Sequence, residues 1–425
     1  MEQIVVVGAS LAGLRTAETL RNEGYEGSVT VIGAEPHLPY DRPPLSKKVL
    51  AGVWEPERVA LRRPDDMGSL DVEWRLGTRA TGLDLAGRVV RLGDHDGIGF
   101  DGLVLACGAA PKMLPGVQAT RPDTDTGSDT GSDTDSEGPM ITALRTLDDS
   151  LALRRRIAGG HSRVVVVGAG FIGLEVAATA RGLGNDVVVL EGAGAPLVRA
   201  LGEEMGHAVA ACHGDHGVDI RCGVSVGGVD ADGVHLGDGS VVPADVVVIG
   251  IGVAPCTDWL EDSGLDLRDG VVCDSTLAVT SSDGADTTGV YAAGDVVRWQ
   301  HPLFDEEVRI EHWTNAADQG AVAAKNLLAL ARGADPQPYG EVPFFWSDQY
   351  DRRIQFLGHA SPADEVRVVH GSIDERRFLA LFGRDGRLRG ALGLNVPRLV
   401  MSYRSPLADR ISWDDALARA AEQAG

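Results

Sequence analysis

Cysteine is scarce in this sequence. Its 425 residues hold five, Cys107, Cys212, Cys222, Cys256 and Cys273, and none stands at C-x-x-C or C-x-x-x-x-C spacing. Zinc ligation and a redox disulfide are therefore unsupported, and isolated thiols of an intracellular protein are the expectation. Long apolar runs are missing too: none approaches the roughly 20 residues that cross a bilayer. The opening MEQIVVVG enters a strand at once, leaving no space for a charged leader and cleavage site, so a cytoplasmic location is expected. Positive charge is in deficit, with 39 Lys and Arg against 62 Asp and Glu, a net of −23. That deficit argues against nucleic acid and anionic membranes as partners.

What remains is the composition of a soluble globular chain, 44% hydrophobic and 24% charged. Its length calls for two or three domains. The acidity is uneven. Residues 121–138, RPDTDTGSDTGSDTDSEG, carry six acids and one arginine. With almost nothing apolar to bury, this tract is expected to be a disordered, solubilising insertion. Residues 351–410 carry eleven arginines against seven acids. Two readings stay open there: a basic area that guides an acidic partner, or a solvated basic face.

The most informative stretch begins at Gly168: GAGFIGLEVAATARGLGNDVVVLE. The β-branched run before it predicts a buried parallel strand. Gly168, Gly170 and Gly173 then form G-x-G-x-x-G, and Leu174, Ala177, Ala178 and Leu183 give the following helix one apolar face. In such a turn the first glycine permits the tight bend. The second lets a pyrophosphate approach the backbone, and the third lets helix pack on strand. The helix start offers free N–H groups and positive potential to phosphates. Glu191, ending the second strand, can accept from a ribose 2′-hydroxyl.

A second copy stands at the start of the chain. IVVVG leads into Gly8-Ala-Ser10-Leu11-Ala12-Gly13, with serine at the usual second glycine, and SVTVIGAE ends near Glu35. Serine is small enough to keep the pyrophosphate approach. The repeat goes on: DGLVLACGAAP from Asp101 and DVVVIGIGVAP from Asp245 both read acid, apolar strand, glycine, small residues, proline. Two copies of one dinucleotide-binding fold are the economical explanation.

Three further strings carry a resemblance: PYDRPPLSK from Pro39, TTGVYAAGDV from Thr287 and EHWTNAADQGAVAAKNL from Glu311. Together they resemble the FAD-dependent, pyridine-nucleotide-using ferredoxin reductases of the putidaredoxin reductase and aromatic-dioxygenase reductase type, more distantly related to apoptosis-inducing factor. The resemblance covers nearly the whole chain except the acidic insertion. It implies an α/β fold: two Rossmann-like dinucleotide-binding domains of glutathione-reductase type plus a smaller C-terminal α+β domain. The implied FAD domain is residues 1–116 and 273–330, the NAD domain 140–272 and the C-terminal interface domain 331–425, with 117–139 as the insertion. RIQFLGHA, EVRVVHG, RFLALFG and LRGALGLN read as antiparallel strands of that last domain, followed by a helix in WDDALARAAEQ.

The resemblance also implies roles. Gly8, Ser10, Leu11, Ala12, Gly13, Glu35, Arg42, Lys47, Arg79, Ala106 and Asp295 would hold non-covalent FAD, with Trp313 near its ring. Gly168, Gly170, Phe171, Ile172, Gly173, Glu191 and Gly252 would hold NADH. Glu175 would face the nicotinamide end and pair with Lys47; the alternative is a plain structural ion pair. Lys47, Glu175 and Trp313 are thus the catalytic candidates. Glu175 on an apolar helix face is unusual for a core position, which favours function. His312 is expected to have no acid–base duty, since hydride transfer needs none at that carbon. Two positions depart from the family: Ser10, and Cys107 where relatives commonly carry a hydroxyl residue.

The implied activity passes electrons from NADH through FAD to a [2Fe–2S] ferredoxin serving a monooxygenase or dioxygenase, in a monomer or weak dimer. Disulfide reductases of similar architecture need a dithiol beside the flavin, and the sequence has none at that spacing. Other acceptors (rubredoxin, a nitrite reductase component, a quinone) and an interaction flavoprotein of the apoptosis-inducing-factor kind are the alternatives. The expected docking arginines are Arg352 and Arg353, then Arg398 and Arg404, then Arg62 and Arg63. The rival expectation is that these pair with neighbouring acids.

Overall fold

The computed structural model describes residues 1–93, 95–120 and 138–424. The acidic tract named above lies outside the described residues, apart from Gly138 at its end. The chain divides into two compact units, one of residues 1–41, 59–110 and 254–345, the other of residues 42–58, 111–253 and 346–425.

In the first unit the β-branched run Gln3–Val7 is the centre of a five-stranded sheet. The order is Val290–Ala292, Gly102–Leu105, Gln3–Val7, Ser28–Ile32, Glu73–Arg75, and all pairings are parallel. Ile4, Val5 and Val6 are fully buried, as a strand covered on both faces requires. The Leu11–Asn22 helix packs against the long Trp313–Ala331 helix. Gly320 makes the close approach possible, because a Cβ there would sit 2.4 Å from the Ala12 carbonyl oxygen. Thr16 Oγ1 donates across the same contact to the Gly320 carbonyl at 3.1 Å.

The second unit repeats this plan. Its parallel sheet runs Asp219–Cys222, Asp186–Glu191, Arg163–Val167, Val246–Ile249, Met140–Thr142. In both sheets the central strand has the next βαβ strand on one side and the repeated aspartate strand on the other. Strand order therefore reverses at the end of the central strand, where open α/β sheets bind ligands. The repeated aspartates have a structural duty. Asp101 Oδ2 accepts from the backbone N–H of Glu2 and Gln3 at 2.6 and 3.0 Å, and Asp245 Oδ2 from that of Arg163 at 2.7 Å. Each pins the start of its central strand.

An antiparallel sheet, in the second unit from Trp346 on, has the order Phe344–Gln349, Arg352–Gly358, Arg387–Leu394, Arg377–Arg384, Glu365–Ser372. Its four later strands and the Trp413–Ala424 helix are those expected from the sequence. The strand Phe344–Gln349 was not among them.

Candidate active site

Both glycine turns have the same construction. Gly8 and Gly168 hold φ of 127° and 101°, and a Cβ on either would fall 2.0 or 2.3 Å from the carbonyl oxygen of Ala106 or Gly250. Gly13 and Gly173 face the carbonyls of Gly8 and Gly168, where a Cβ would sit 1.8 and 2.3 Å away. Neither pair can carry a side chain. The middle position differs. A Cβ on Gly170 would meet nothing closer than 3.8 Å, so Ser10 is sterically ordinary in the other copy. Ser10 and Gly170 are the N-caps of the two helices. Leu11 and Ala12 are buried in the first helix, while Ile172 is 43% exposed at the start of the second.

The acids at the two strand ends are not equivalent. Val7 pairs with Ile32 and Val167 with Leu190, so Gly33, not Glu35, is the register counterpart of Glu191. Glu191 folds back over its own turn, accepting from the N–H of Ala169 at 2.7 Å and of Ala193 at 2.8 Å. Glu35, two residues beyond the register position, accepts from the Tyr40 hydroxyl. That contact ties the strand end to the PYDRPPLSK segment.

Lys47 and Glu175 are brought together in the second unit. Lys47 Nζ lies 2.6 Å from Glu175 Oε2, and both side chains are largely buried. Glu175 also accepts from Ser46 Oγ on Oε2 at 2.5 Å and from Ser347 Oγ on Oε1 at 2.6 Å. The RPPLSK residues reach this position because consecutive prolines open a short 3₁₀ turn, Pro43–Ser46. Thr179, one helical turn beyond Glu175, donates to the Ser46 carbonyl at 2.8 Å. Ser150 Oγ donates to the Leu45 carbonyl at 2.7 Å. Arg42 Nη1 donates to the Arg145 carbonyl at 2.7 Å.

In the first unit, Trp313 opens the long helix and its Nε1–H donates to Asp41 Oδ1 at 2.7 Å. Asp295 is half-buried next to Gly294. Gly294 N–H donates to Gln319 Oε1 at 2.9 Å. That leaves the Gln319 amide nitrogen buried with no hydrogen-bond partner among the described residues. A buried donor without an acceptor costs on the order of 1–3 kcal/mol, and a ligand oxygen would satisfy it. In the second unit the space around Gly252, at φ 106°, is open: a Cβ would touch nothing within 4 Å. Both observations fit dinucleotides at the two turns. Ala106 is buried, and Arg79 is exposed ahead of the Ala80–Asp84 strand.

Cys107 Sγ donates to the Cys256 carbonyl at 3.2 Å. Burial, with Cys256 nearby, pushes its thiol up to about 12, which suits packing and not thiolate chemistry. Among the described residues no cluster could hold a metal ion, and no helix is long and apolar enough to cross a membrane. Several expected docking arginines are paired with acids. Arg353 makes two hydrogen bonds to Asp348 at 2.7 and 3.0 Å, Arg352 lies 3.3 Å from Asp351, and Arg62 lies 2.9 Å from Glu18. These contacts favour the rival expectation for those three. Arg63 and Arg398 are exposed.

Sequence reasoning missed Asp41, Ser46, Gln319 and Ser347. Asp41 and Ser46 were visible inside PYDRPPLSK and Gln319 inside EHWTNAADQGAVAAKNL; Ser347 carries no local signal.

Residues 2–320 match the family described as pyridine nucleotide-disulphide oxidoreductase, and residues 344–424 the one described as reductase C-terminal. Rhodocoxin reductase of Rhodococcus erythropolis is 35% identical over 410 residues, covering 95% of this chain and 89% of that protein. The ferredoxin–NAD(+) reductase component of the anthranilate 1,2-dioxygenase system of Burkholderia cepacia is 36% identical, covering 96% and 94%. Among solved structures, the covalent putidaredoxin reductase–putidaredoxin complex aligns with TM-score 0.85 at 30% identity, covering 100% of this chain and 99% of that one. Fdr9 aligns with TM-score 0.84 at 38% identity, covering 98% and 97%.

Proposed function

This chain belongs to the pyridine nucleotide-disulphide oxidoreductase family, whose members work with a flavin and NAD(H), and from that premise we propose that it is a cytoplasmic ferredoxin reductase carrying electrons from NADH through FAD to a [2Fe–2S] ferredoxin of an oxygenase system. The observation that carries the reading is the duplicated glycine turn, built alike at the switch points of two like-ordered parallel sheets. Two such turns call for two dinucleotides. A flavin accepts two electrons as a hydride and releases them singly, which a nicotinamide cannot do.

The residues divide accordingly. Gly8, Ser10, Leu11, Ala12 and Gly13 receive the FAD pyrophosphate on the helix start. Gln319 supplies its spare amide donor beside Asp295, and Trp313, locked by Asp41, supplies an aromatic face. Gly168, Gly170, Phe171, Ile172 and Gly173 receive NADH, with Glu191 at the adenosine ribose and Gly252 leaving room. Lys47 and Glu175 serve the reacting end of the nicotinamide cofactor. The ferredoxin assignment is supported by relatives named as ferredoxin reductase components of dioxygenase systems and by a relative solved in complex with its ferredoxin. The test is direct. Purified protein is expected to be yellow, to release FAD on denaturation and to lose its colour on anaerobic addition of NADH. A colourless preparation that takes up no FAD, or a bound flavin that NADH leaves oxidised, would overturn the reading.

A further inference from the structure

Beyond the Lys47–Glu175 pair, a line of buried side chains continues in one direction within the same unit. Ser347 Oγ donates to Glu175 Oε1 at 2.6 Å, and Gln349 Nε2 donates to Ser347 Oγ at 3.1 Å. Gln349 Oε1 then meets His213 Nε2 at 2.8 Å, and His213 Nδ1 meets the Tyr350 hydroxyl at 3.2 Å. Ser347 and His213 are fully buried, and Gln349 is 2% exposed. The amide fixes every role: with its NH2 spent on Ser347, its oxygen must accept. His213 therefore carries its proton on Nε2 and accepts from Tyr350 on Nδ1. Every donor in the line points toward Glu175.

The outer end is anchored as well. Tyr350 makes the turn between the strands Phe344–Gln349 and Arg352–Gly358 with φ at 54°, a left-handed conformation that a bulky residue adopts at a cost. Its ring lies flat on His216, 3.7 Å between centroids and 4° between planes. Arg376 lies 3.0 Å from Asp215 next to it, and His213 sits in the last turn of the Val198–Gly214 helix.

We propose that Ser347, Gln349 and His213 are positioning residues that fix the Glu175 carboxylate, and through it the Lys47 ammonium, for the reaction. This rests on the proposed placement of that pair at the reacting end of the nicotinamide cofactor. The line is not a proton wire. An amide cannot accept a proton on oxygen and pass one on from nitrogen without an imidic acid form, so Gln349 interrupts any transfer. What a one-directional array of neutral donors does is orient an acceptor. Ser46 and Lys47 occupy Oε2, Ser347 occupies Oε1, and the carboxylate is held at both oxygens. Without Ser347 it can rotate about its terminal torsion, which is soft. Preorganisation of this kind is lost in rate more than in binding.

The test uses flavin-loaded full-length protein. Ser347→Ala is expected to slow single-turnover flavin reduction by NADH about tenfold, while Kd for NAD+ by calorimetry stays within about twofold. Ser347→Thr, which keeps the hydroxyl, is expected to recover most of the rate. Gln349→Met, which removes the next link at similar volume, is expected to slow reduction about threefold and carries the test if Ser347→Ala does not fold. In a Glu175→Gln background, Ser347→Ala is expected to add less than about twofold, because its effect passes through that carboxylate. An unchanged rate in Ser347→Ala, or the same tenfold loss in the Glu175→Gln background, overturns the proposal alone. A Glu175→Gln enzyme as fast as the parent overturns the placement of the pair and the proposal with it.

Discussion

Replacing Glu175 with alanine strips three donors of one acceptor. The side chains of Lys47 and Glu175 are only 16% and 6% exposed, so the ammonium left behind stays mostly out of water. Breaking a buried pair on one side costs about 3–5 kcal/mol, against about 0–1 kcal/mol for an exposed pair. Ser46 and Ser347 also lose a charged acceptor, which is worth on the order of 1.5–3 kcal/mol per hydrogen bond, though a hydroxyl can turn to another partner. The buried-pair term alone sets the expectation at about 4 kcal/mol. With a urea slope of about 2 kcal/mol/M, that moves the unfolding midpoint of the unit down by about 2 M. The assay is urea unfolding followed by circular dichroism at pH 7, for the parent, Glu175→Ala, and Lys47→Met combined with Glu175→Leu. The double replacement removes both charges and is expected to regain most of the loss, since well-packed apolar groups often match a buried pair. A Glu175→Ala loss below about 1 kcal/mol would mean the pair behaves as an exposed one, and the reasoning about a buried, oriented carboxylate would fail.

Burial lowers the His213 imidazole to about 4, with its Gln349 hydrogen bond opposing the shift. The folded state therefore binds this proton less readily than the unfolded chain does, whose histidines titrate near about 6.5. The stabilising contribution is complete above about pH 6.5 and falls away as pH drops toward 4, by about 3 kcal/mol in all. Urea unfolding between pH 7 and 4 is expected to show that excess loss relative to His213→Gln; parallel pH curves would refute it. The carboxylate of Glu191 would repel a 2′-phosphate, so kcat/KM is expected to favour NADH over NADPH by at least about tenfold. Glu191→Ala should narrow that gap. Because Glu191 also holds the N–H groups of Ala169 and Ala193, KM for NADH should rise in the same variant. A parent enzyme equally good with NADPH would contradict the role.

The three inner strands of each parallel sheet and both glycine turns were legible in the sequence because each rests on apolar runs, fixed glycine spacings and a following amphipathic helix within about 30 residues, whereas the edge strands Val290–Ala292, Glu73–Arg75, Asp219–Cys222 and Met140–Thr142 were not. The C-terminal hairpins were legible from their own local pattern. The surroundings of Glu175 were only half legible. Lys47 was reachable through the family motif, but Ser347 lies 172 residues from Glu175 and Gln349 lies 136 from His213. No local pattern announces such contacts. Glu35 stands two residues beyond the register position of Glu191, an offset invisible until the strands are paired. The arginine-rich segment looked basic by count, yet the partners of Arg352 and Arg353 are Asp351 and Asp348, their own near neighbours. Net charge says how many acids are present, not which arginines they neutralise.

The central claim is that electrons enter as a pair from NADH and leave singly to a ferredoxin. It is tested most directly by NADH-driven cytochrome c reduction with purified protein, with and without a [2Fe–2S] ferredoxin. The account predicts slow reduction without ferredoxin and an increase of at least about tenfold that saturates as ferredoxin is added, the behaviour of a carrier that takes one electron at a time from the flavin. A rate unaffected by any [2Fe–2S] ferredoxin encoded in the same genome, from protein whose flavin NADH readily reduces, would contradict it.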